Sequence, residues 1–291
     1  MARILKRVRV ALVTCSALRE GGDDEAVVAS LIGAEYRCWD DSSVDWEAYD
    51  RVVIRSTWDY TWRVGEFLAW CNAVGPQRLR NRPDLVAFNV DKHYLLELGV
   101  DTVPTMFVAP GEAPPVLDGE LVVKPNISAG ARDTGRFGPA AHATARALIE
   151  RIQASGRTAL VQPYLASVDQ RGETALVFLG GDLSHVLRKH AILEPDEVAP
   201  LADGALAPAA VMLRKDLVTL GAATAGERAL AHRVMRAVSE RFGTPLYARV
   251  DLVIGPRGRP LLLELEVIEP ALYLEQSPGA AQRFADAIQS S

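Results

Sequence analysis

The chain has 291 residues, with 32 lysines and arginines against 37 aspartates and glutamates, and a formal net charge of −5 at pH 7. Apolar residues make up 49% of the chain and charged residues 24%, a globular mixture that excludes a fibre and wholesale disorder. The sequence has no basic excess and no apolar run long enough to cross a bilayer, so we expect neither a nucleic-acid nor a membrane partner. Three cysteines far apart in sequence, with no Cys-x-x-Cys pair, favour reduced core thiols in a cytoplasmic protein.

The first part of the chain alternates short β-branched segments with helical ones. The predicted strands are residues 8–14, 35–39 and 51–55. The predicted helices are residues 64–74 and a segment that begins at the cap candidates Asp23 and Asp24 and ends at Gly33. The basic start of the chain turns apolar, but Arg9 interrupts the apolar run, which favours a first strand over a signal peptide. Alternating strands and helices predict a small α/β lobe with a parallel sheet.

The rest of the chain predicts an α+β body with antiparallel sheets. The predicted strands are residues 121–124 and 159–162, together with two hairpins that pair 174–179 with 182–189 and 247–254 with 261–267. The predicted helices are one within 83–99 that ends at Gly99, one over 140–155, one from the capping box Thr224–Glu227 to Gly243, and a last one capped by Ser277-Pro278. Residues 125–138 are predicted to be a glycine-punctuated loop, and residues 194–223 an ordered loop or lid edge.

The last hairpin carries the densest set of charged residues. Side chains alternate along a strand, so Arg249 and Asp251 share one face, and Glu264 and Glu266 share a face of the partner strand. We expect Arg249 to lie opposite Glu264, with Asp251 diagonal to it. Three carboxylates in one patch repel each other unless a cation lies among them, and hard oxygen ligands suit Mg²⁺. A solvated polar face of an edge hairpin is the alternative.

Three further segments could bind a nucleotide. Lys124 ends a strand and is followed by a loop whose glycines would let backbone N–H groups approach phosphate oxygens. Its spacing matches neither a P-loop nor a Rossmann fingerprint, so an ordinary surface loop is an equal alternative. Lys92 opens a helical segment, where a solvated lysine is the alternative, and residues 160–165 could pair with an adenine edge or form a core strand.

Two hydrolase classes find no support in the sequence. None of the five histidines shows H-E-x-x-H or another zinc-ligand spacing. No G-x-S-x-G elbow is present either.

The order of these motifs resembles that of the ATP-grasp superfamily, the nucleotide-dependent carboxylate–amine ligases. A strand–helix lobe, a first lysine, a second lysine with its glycine loop, an extended hinge and an acidic hairpin follow one another along the whole chain. The resemblance implies ATP and Mg²⁺ as cofactors. It also implies three lobes that clamp ATP: an N-terminal α/β lobe over 1–88, a central lobe over 89–166 and a C-terminal lobe over 167–291.

The resemblance assigns roles to the residues that match the superfamily's motifs. Those implied to contact ATP are Lys92, Lys124, Ser128, Gly130, Gln162, Pro163, Tyr164, Leu165 and Asp169. Residues 162–165 would hold the adenine, Asp169 the ribose hydroxyls, and residues 128–138 would form the lid. Catalytic roles at the transferring phosphate are implied for Lys124 and Arg249. The implied Mg²⁺ ligands are Asp251, Glu264 and Glu266, the last in place of the asparagine in the family's usual Glu-x-Asn.

The chemistry that the resemblance implies is ATP-dependent formation of a C–N bond. Phosphoryl transfer turns a substrate carboxylate into an acyl phosphate, and a nitrogen nucleophile then displaces phosphate. No side-chain nucleophile is needed, which fits the absence of a serine or cysteine motif. Two alternatives share the ATP site, a non-catalytic nucleotide-binding module and a small-molecule kinase. The dense acidic hairpin argues against the first.

The substrate is expected to be a small carboxylate resembling an amino acid. Arg55, at the end of a predicted strand, could hold its carboxylate, or could be a structural salt-bridge partner. Arg188 and Lys189 end another strand and are further candidates, whereas Glu269 has no assigned role. One specialised superfamily member that fits closes the ring of D-cycloserine from O-ureido-D-serine, and no residue distinguishes it from a dipeptide-forming ligase. The oligomeric state stays open, a homo-oligomer included.

Overall fold

Strands and helices alternate along the described part of the chain. The computed structural model describes residues 8–199, 214 and 216–291. In chain order the strands are β1 (Val10–Thr14), β2 (Glu35–Cys38), β3 (Arg51–Ser56), β4 (Leu79–Arg80), β5 (Met106–Val108), β6 (Leu121–Pro125), β7 (Gly135–Phe137), β8 (Ala159–Pro163), β9 (Glu173–Leu179), β10 (Asp182–Lys189), β11 (Glu197–Val198), β12 (Val218–Leu220), β13 (Tyr247–Ile254) and β14 (Pro260–Glu266). The α-helices are α1 (Asp23–Ile32), α2 (Val64–Val74), α3 (Pro83–Asn89), α4 (His142–Ala154), α5 (Ser167–Arg171), α6 (Ala225–Phe242) and α7 (Ala280–Ser290).

The first sheet is parallel, in the order β2-β1-β3-β4. Its central strands β1 and β3 are buried on both faces, as their apolar composition predicts. Val28 and Ile32 of α1 pack against one face, and Phe67 and Cys71 of α2 belong to the cluster on the other. The predicted α/β arrangement of this part of the chain is therefore confirmed.

The second sheet is antiparallel, in the order β11-β7-β6-β8-β5, and α4 covers it with Leu148, Ile149 and Ile152. The prediction of a plain loop over 125–138 is wrong at its end, because residues 135–137 form β7. The chain reverses between β6 and β7 through left-handed backbone at Gly130, Ala131 and Asp133. The glycine-rich loop is therefore the tip of a β-hairpin.

The third sheet is also antiparallel, in the order β12-β10-β9-β13-β14. Helix α6 packs on one face through Leu230, Val234 and Val238, and begins at the predicted Thr224–Glu227 capping box. The other face packs against α7, which in turn lies against α1. The last helix of the described chain therefore joins the third sheet to the first lobe. The mixed α/β and α+β fold class is confirmed, whereas the lobe limits at 88 and 166 stay a prediction.

The register of the β13–β14 hairpin differs from the predicted one by two residues. Arg249 lies opposite Glu266 and not Glu264, and Asp251 lies directly opposite Glu264. One residue of the difference comes from the turn, which is one residue longer than expected. The other comes from a β-bulge after Asp251. The bulge brings the Asp251 and Glu264 carboxylates face to face.

Several predicted boundaries move in the structure. Within 83–99, α3 ends at Asn89 and a separate 3-10 helix covers Lys92–Leu96, because the Asp91 carboxylate accepts from His93 N and restarts the turn. At the start of α1 the cap is Gly22, and at α7 it is Gly279. Of the predicted loop over 194–223, the structure describes β11 and β12, and residues 200–213 and 215 lie outside the described part. No helix among the described residues is long and apolar enough to cross a membrane.

Asn81 connects the end of β4 to the third sheet, so we expect its loss to destabilise the fold. Its side chain is 4% exposed, donates to the carbonyls of Tyr247 and Val267, and accepts from Leu246 N. Asn81→Ala leaves these three buried groups unpaired and should lower the free energy of unfolding by about 3 kcal/mol. Urea unfolding measures the change, with Asn72→Ala on the exposed side of α2 as the control. Equal stability of the two variants would contradict this account.

Candidate active site

A cleft of about 480 Å³ lies between the second and third sheets and extends towards the first lobe. Most residues that the sequence analysis selected line it. These are Lys92, Lys124, Ser128, Gly130, Gln162, Pro163, Tyr164, Leu165, Arg249, Asp251, Glu264 and Glu266. The structure therefore brings together residues that are up to 174 positions apart in sequence, between Lys92 and Glu266. Arg55, Asp169 and Arg188 do not line this cleft.

Two lysines of the central part of the chain meet one carboxylate of the hairpin. Lys92 Nζ lies 3.1 Å from Glu264 Oε1, and Lys124 Nζ lies 3.7 Å from Glu264 Oε2. Lys124 is the last residue but one of β6, and Lys92 is the first residue of the 3-10 helix. The backbone N–H of Lys92 donates to Asn126 O. Burial alone would raise the pKa of Glu264, but the two ammonium groups hold it low, at about 2. Glu264 is therefore ionised throughout the physiological range.

The second ion-pair cluster lies on the third sheet itself. Arg249 Nε lies 2.9 Å from Asp251 Oδ1, and Arg249 also pairs with Glu266 across the hairpin. Lys189 Nζ, at the end of β10, lies 2.7 Å from Asp251 Oδ2 and 2.9 Å from Glu173. Burial would raise the pKa of Asp251, yet Arg249 and Lys189 lower it below its usual value. On this face two cations, Arg249 and Lys189, are shared among three carboxylates.

Positive and negative side chains are balanced along the cleft. Five cationic side chains line it, namely Lys92, Lys124, Arg132, Lys189 and Arg249. Five carboxylates line it as well, namely Glu173, Asp251, Glu264, Glu266 and Glu269. Buried charges are costly unless they are paired, and four of these carboxylates pair with cations of the protein, whereas Glu269 has no such partner among the described residues. An anionic ligand can then be held only if some of the cations change partners.

The predicted adenine hinge forms one wall of the cleft. The Gln162 side chain is buried and donates to Thr105 Oγ1 at 2.8 Å. Tyr164 N donates to Glu120 O. Asp169, the predicted ribose acid, is instead held by Arg136 in a two-pronged pair at 2.9 Å and by the Tyr164 hydroxyl. The sequence analysis assigned no role to Arg136, because it predicted residues 125–138 to be a loop and so did not predict β7. The ribose role of Asp169 thus finds no support in its position.

The tip of the β6–β7 hairpin rests on the first lobe. Arg132 Nη2 lies 2.8 Å from Thr61 Oγ1, and its guanidinium lies over the Trp62 ring, 4.0 Å from the centroid. Lys92 Nζ donates to Ser128 O at 3.2 Å on the cleft side of the same loop. This loop is therefore closed over the cleft, as a lid would be. No motif in the sequence marked Arg132.

The two predicted substrate arginines lie elsewhere. Arg55 is 2% exposed, donates to Pro270 O at 2.8 Å and lies 3.5 Å from the buried Glu25. Arg188 donates to Thr174 Oγ1 and to Ala222 O, away from the cleft. Successive side chains of a strand point to opposite faces, so Lys189 faces the cleft and its neighbour Arg188 does not. Neither Arg55 nor Arg188 lines the cleft, and their contact with the substrate stays a prediction.

Polar side chains from distant elements fix the segment after β14. Its backbone carbonyls accept one after another, and the partners are Asn81 to Val267 O, Tyr247 to Ile268 O, Arg55 to Pro270 O, Arg249 to Ala271 O and His185 to Leu272 O. The Asp24 carboxylate accepts from the N–H groups of Leu272 and Leu274. Residues 267–274, called here the anchored segment, are therefore held from both lobes. Glu269 lies in its middle and lines the cleft.

The carboxylate oxygens of the cleft are the kind of ligand that Mg²⁺ prefers, but they do not form a complete coordination shell. Among the described residues, no group of three histidine, cysteine, aspartate or glutamate side chains is arranged to hold a metal ion by itself. Mg²⁺ keeps several waters and is commonly bound through one or two carboxylates together with substrate phosphates. The facing Asp251 and Glu264 meet that smaller requirement.

A second pocket, of about 490 Å³, lies on the first lobe around Arg37 and Tyr49. Its arginines Arg9 and Arg37 both pair with Glu35, and no buried carboxylate or lysine converges there. We therefore place the chemistry in the first cleft.

The fold and the cleft define an ATP-grasp ligase, an enzyme that uses ATP to form a C–N bond. The D-alanine–D-alanine ligase of Bacillus anthracis, solved in complex with ATP, has the same fold, with a TM-score of 0.62 at 13% identity over 97% of this chain and 96% of that chain. The sequence-based predictions of fold and of an ATP-dependent ligase are confirmed.

Closer relatives give the family. The sequence model of the N-terminal domain of the D-cycloserine synthetase DcsG matches residues 10–81. The cycloserine biosynthesis protein DcsG of Streptomyces lavendulae is 36% identical over 275 residues, covering 88% of each chain. The crystal structure of D-cycloserine synthetase DcsG superposes with a TM-score of 0.82 at 33% identity, over 97% of this chain and 98% of that chain. The chain belongs to the DcsG family.

Glu269 gives a testable effect of pH on stability. Burial, reinforced by the nearby Glu266, raises the pKa of Glu269 from 4.5 to about 8. A carboxyl group whose pKa is raised in the folded state favours unfolding increasingly as the pH rises from about 4.5 to about 8. Glu269→Gln removes this effect, so the variant should be more stable than the parent at about pH 9 and equally stable near pH 4. Urea unfolding at several pH values tests this, and a stability difference that is independent of pH would contradict it.

Proposed function

We propose that the chain closes the ring of D-cycloserine from O-ureido-D-serine, at the expense of ATP, in the cleft between the second and third sheets. The observation that carries the proposal is the convergence of two ion-pair clusters on this cleft, one around Glu264 and one around Asp251. They supply the lysines that phosphates need and the carboxylates that Mg²⁺ needs. The substrate is suggested by the cycloserine synthetases that the chain resembles.

Binding of ATP requires the cleft's charges to change partners. Lys92 and Lys124 would release Glu264 to take phosphate oxygens, and Glu264, Asp251 and Glu266 would then provide oxygens for the metal. Mg²⁺, when bound with ATP, neutralises the charge that develops on the transferring phosphoryl group. Arg249, at 5% exposure and already aimed along the same face, would stabilise that charge from the protein side.

The substrate's own groups supply the remaining chemistry. Its carboxylate oxygen takes the γ-phosphoryl group, with release of ADP, to give an acyl phosphate, and the oxygen-bound nitrogen of the ureido group attacks the acyl carbon and expels phosphate. Water must then remove the carbamoyl group that this nitrogen still carries, as carbon dioxide and ammonia, to give D-cycloserine. The protein has to hold the two ends of one molecule together and keep water away from the acyl phosphate. The hairpin tip with Arg132 closed on Trp62 supports this second role, since it covers the cleft from above.

Replacement of Glu264 tests the metal assignment. Glu264→Gln keeps the shape but removes the charge that faces Lys92 and Lys124, so kcat should fall by about 100-fold or more while the fold is kept. ADP release at saturating Mg-ATP measures the loss, and circular dichroism checks the fold. The matched control is Glu240→Gln on the exposed face of α6, which should leave kcat unchanged. Undiminished activity of Glu264→Gln would remove this residue from the site.

The reaction is tested by following ADP and phosphate release across a panel of carboxylates. The panel holds O-ureido-D-serine, D-serine and D-alanine, singly and in pairs, with and without hydroxylamine. We expect release with O-ureido-D-serine alone, D-cycloserine in the mass spectrum, and a hydroxamate when hydroxylamine traps the acyl phosphate. Release that requires two amino acids together would instead identify a dipeptide-forming ligase.

A further inference from the structure

One carboxylate of the cleft differs from the other four. Glu173, Asp251, Glu264 and Glu266 each pair with a lysine or arginine of the protein. Glu269 makes no hydrogen bond and no salt bridge with any residue that the structure describes. An ionised carboxylate that is largely withdrawn from water is costly without a partner, so this position is suited to a cation that arrives from outside.

The neighbouring arginines cannot readily serve as that cation. Arg132 is held by Thr61 and lies over the Trp62 ring, and Arg249 is already shared between Asp251 and Glu266. Arg55, the third arginine nearby, pairs with Glu25 and donates to Pro270 O. The anchored segment also fixes the backbone on both sides of Glu269. Its flanking carbonyls, on Ile268 and Pro270, are held by Tyr247 and Arg55 at 2.8 Å each. The backbone therefore fixes the direction from which a partner must approach.

Glu269 faces the first lobe and not the lysine cluster. Tyr60 and Arg132 are among its electrostatic neighbours. Tyr60 and Trp58 line the same cleft. Aromatic faces favour organic cations, whereas Mg²⁺ takes oxygen ligands and retains its water. These neighbours point to an ammonium group and not to a metal ion.

We propose that Glu269 binds the ammonium group of the substrate and thereby selects carboxylates that carry an α-amino group. The proposal rests on the proposed function only in its choice of substrate, since any amino-acid-like substrate meets the same carboxylate. Trp58 and Tyr60 would complete the subsite. The carboxylate to be activated would then extend from this point towards Arg249 and the lysine cluster.

The test compares two substrates that differ in one group. O-ureido-D-serine and its counterpart without the α-amino group are each assayed for ADP formation, and their binding is measured by calorimetry with a non-hydrolysable ATP analogue. The variants are Glu269→Gln, Glu269→Asp and the control Glu275→Gln, which removes an exposed carboxylate outside the cleft a few residues further along the chain. Calorimetry is extended to D-serine and D-alanine, so that binding of an amino group is measured even without turnover.

We expect the parent and Glu275→Gln to prefer the amino substrate strongly in kcat/KM. In Glu269→Gln this preference should fall by about 30-fold to 100-fold, because a hydrogen bond to a charged group is lost. Glu269→Asp should recover part of it, and KM for ATP should not change. The substrate without the amino group should be used equally by the parent and by Glu269→Gln.

The possible results separate this inference from the proposed function. Turnover of O-ureido-D-serine with the same preference in Glu269→Gln as in the parent would overturn the inference and leave the function standing. Absence of that turnover, together with D-amino-acid binding that Glu269→Gln loses, would overturn the function and support the inference. A parent enzyme that binds both substrates equally would overturn the inference, whatever the variants do.

Discussion

The paired charges of the cleft are the constraint on which the other features depend. Asp251 and Glu264 face one another on the β13–β14 hairpin and would repel without the cations around them. Lys92 and Lys124, from the central part of the chain, satisfy Glu264, and Lys189 satisfies Asp251. Because a buried charge without its partner is strongly destabilising, the Lys124–Glu264 pair also holds the second and third sheets together at the cleft. The same residues thus stabilise the empty cleft and are ready to exchange partners when a charged ligand enters.

The first lobe contributes to this site mainly through backbone anchoring. Arg55, which lies behind the cleft, holds the carbonyl of Pro270 and lies 4.9 Å from the centre of the Tyr247 ring. Tyr247 contacts the carbonyls of Ile54 and Ile268, one from each lobe. A backbone that is fixed before the ligand arrives is preorganised, which lowers the entropy lost when the ligand binds. The position of Glu269 is therefore a property of both lobes.

Sequence reasoning succeeded where the signal was local. The capping box at Thr224 and the alternation that puts Arg249 and Asp251 on one face follow from short-range geometry, and both are present. The hairpin register could not be predicted, because a bulge is specified by packing between strands and leaves no clear mark in the sequence. The choice between a substrate role and a structural salt bridge for Arg55 stayed open for a related reason: its partners, Glu25 and Pro270, are brought near only by the tertiary fold. The choice between Arg188 and Lys189 likewise required knowing which face of β10 is turned to the cleft.

The contact between α1 and α7 has a consequence for how the protein is made. Asp24 accepts hydrogen bonds from Leu272 and Leu274, which follow it by 248 and 250 residues, and α7 packs on α1 beyond them. At a synthesis rate of about 5–20 residues per second, α1 waits for roughly 10–50 s before its partner leaves the ribosome. During that time Val28 and Ile32 can pack against the first sheet but not yet against α7. The apolar surface of α1 therefore stays exposed on the nascent chain until the last helix has been made.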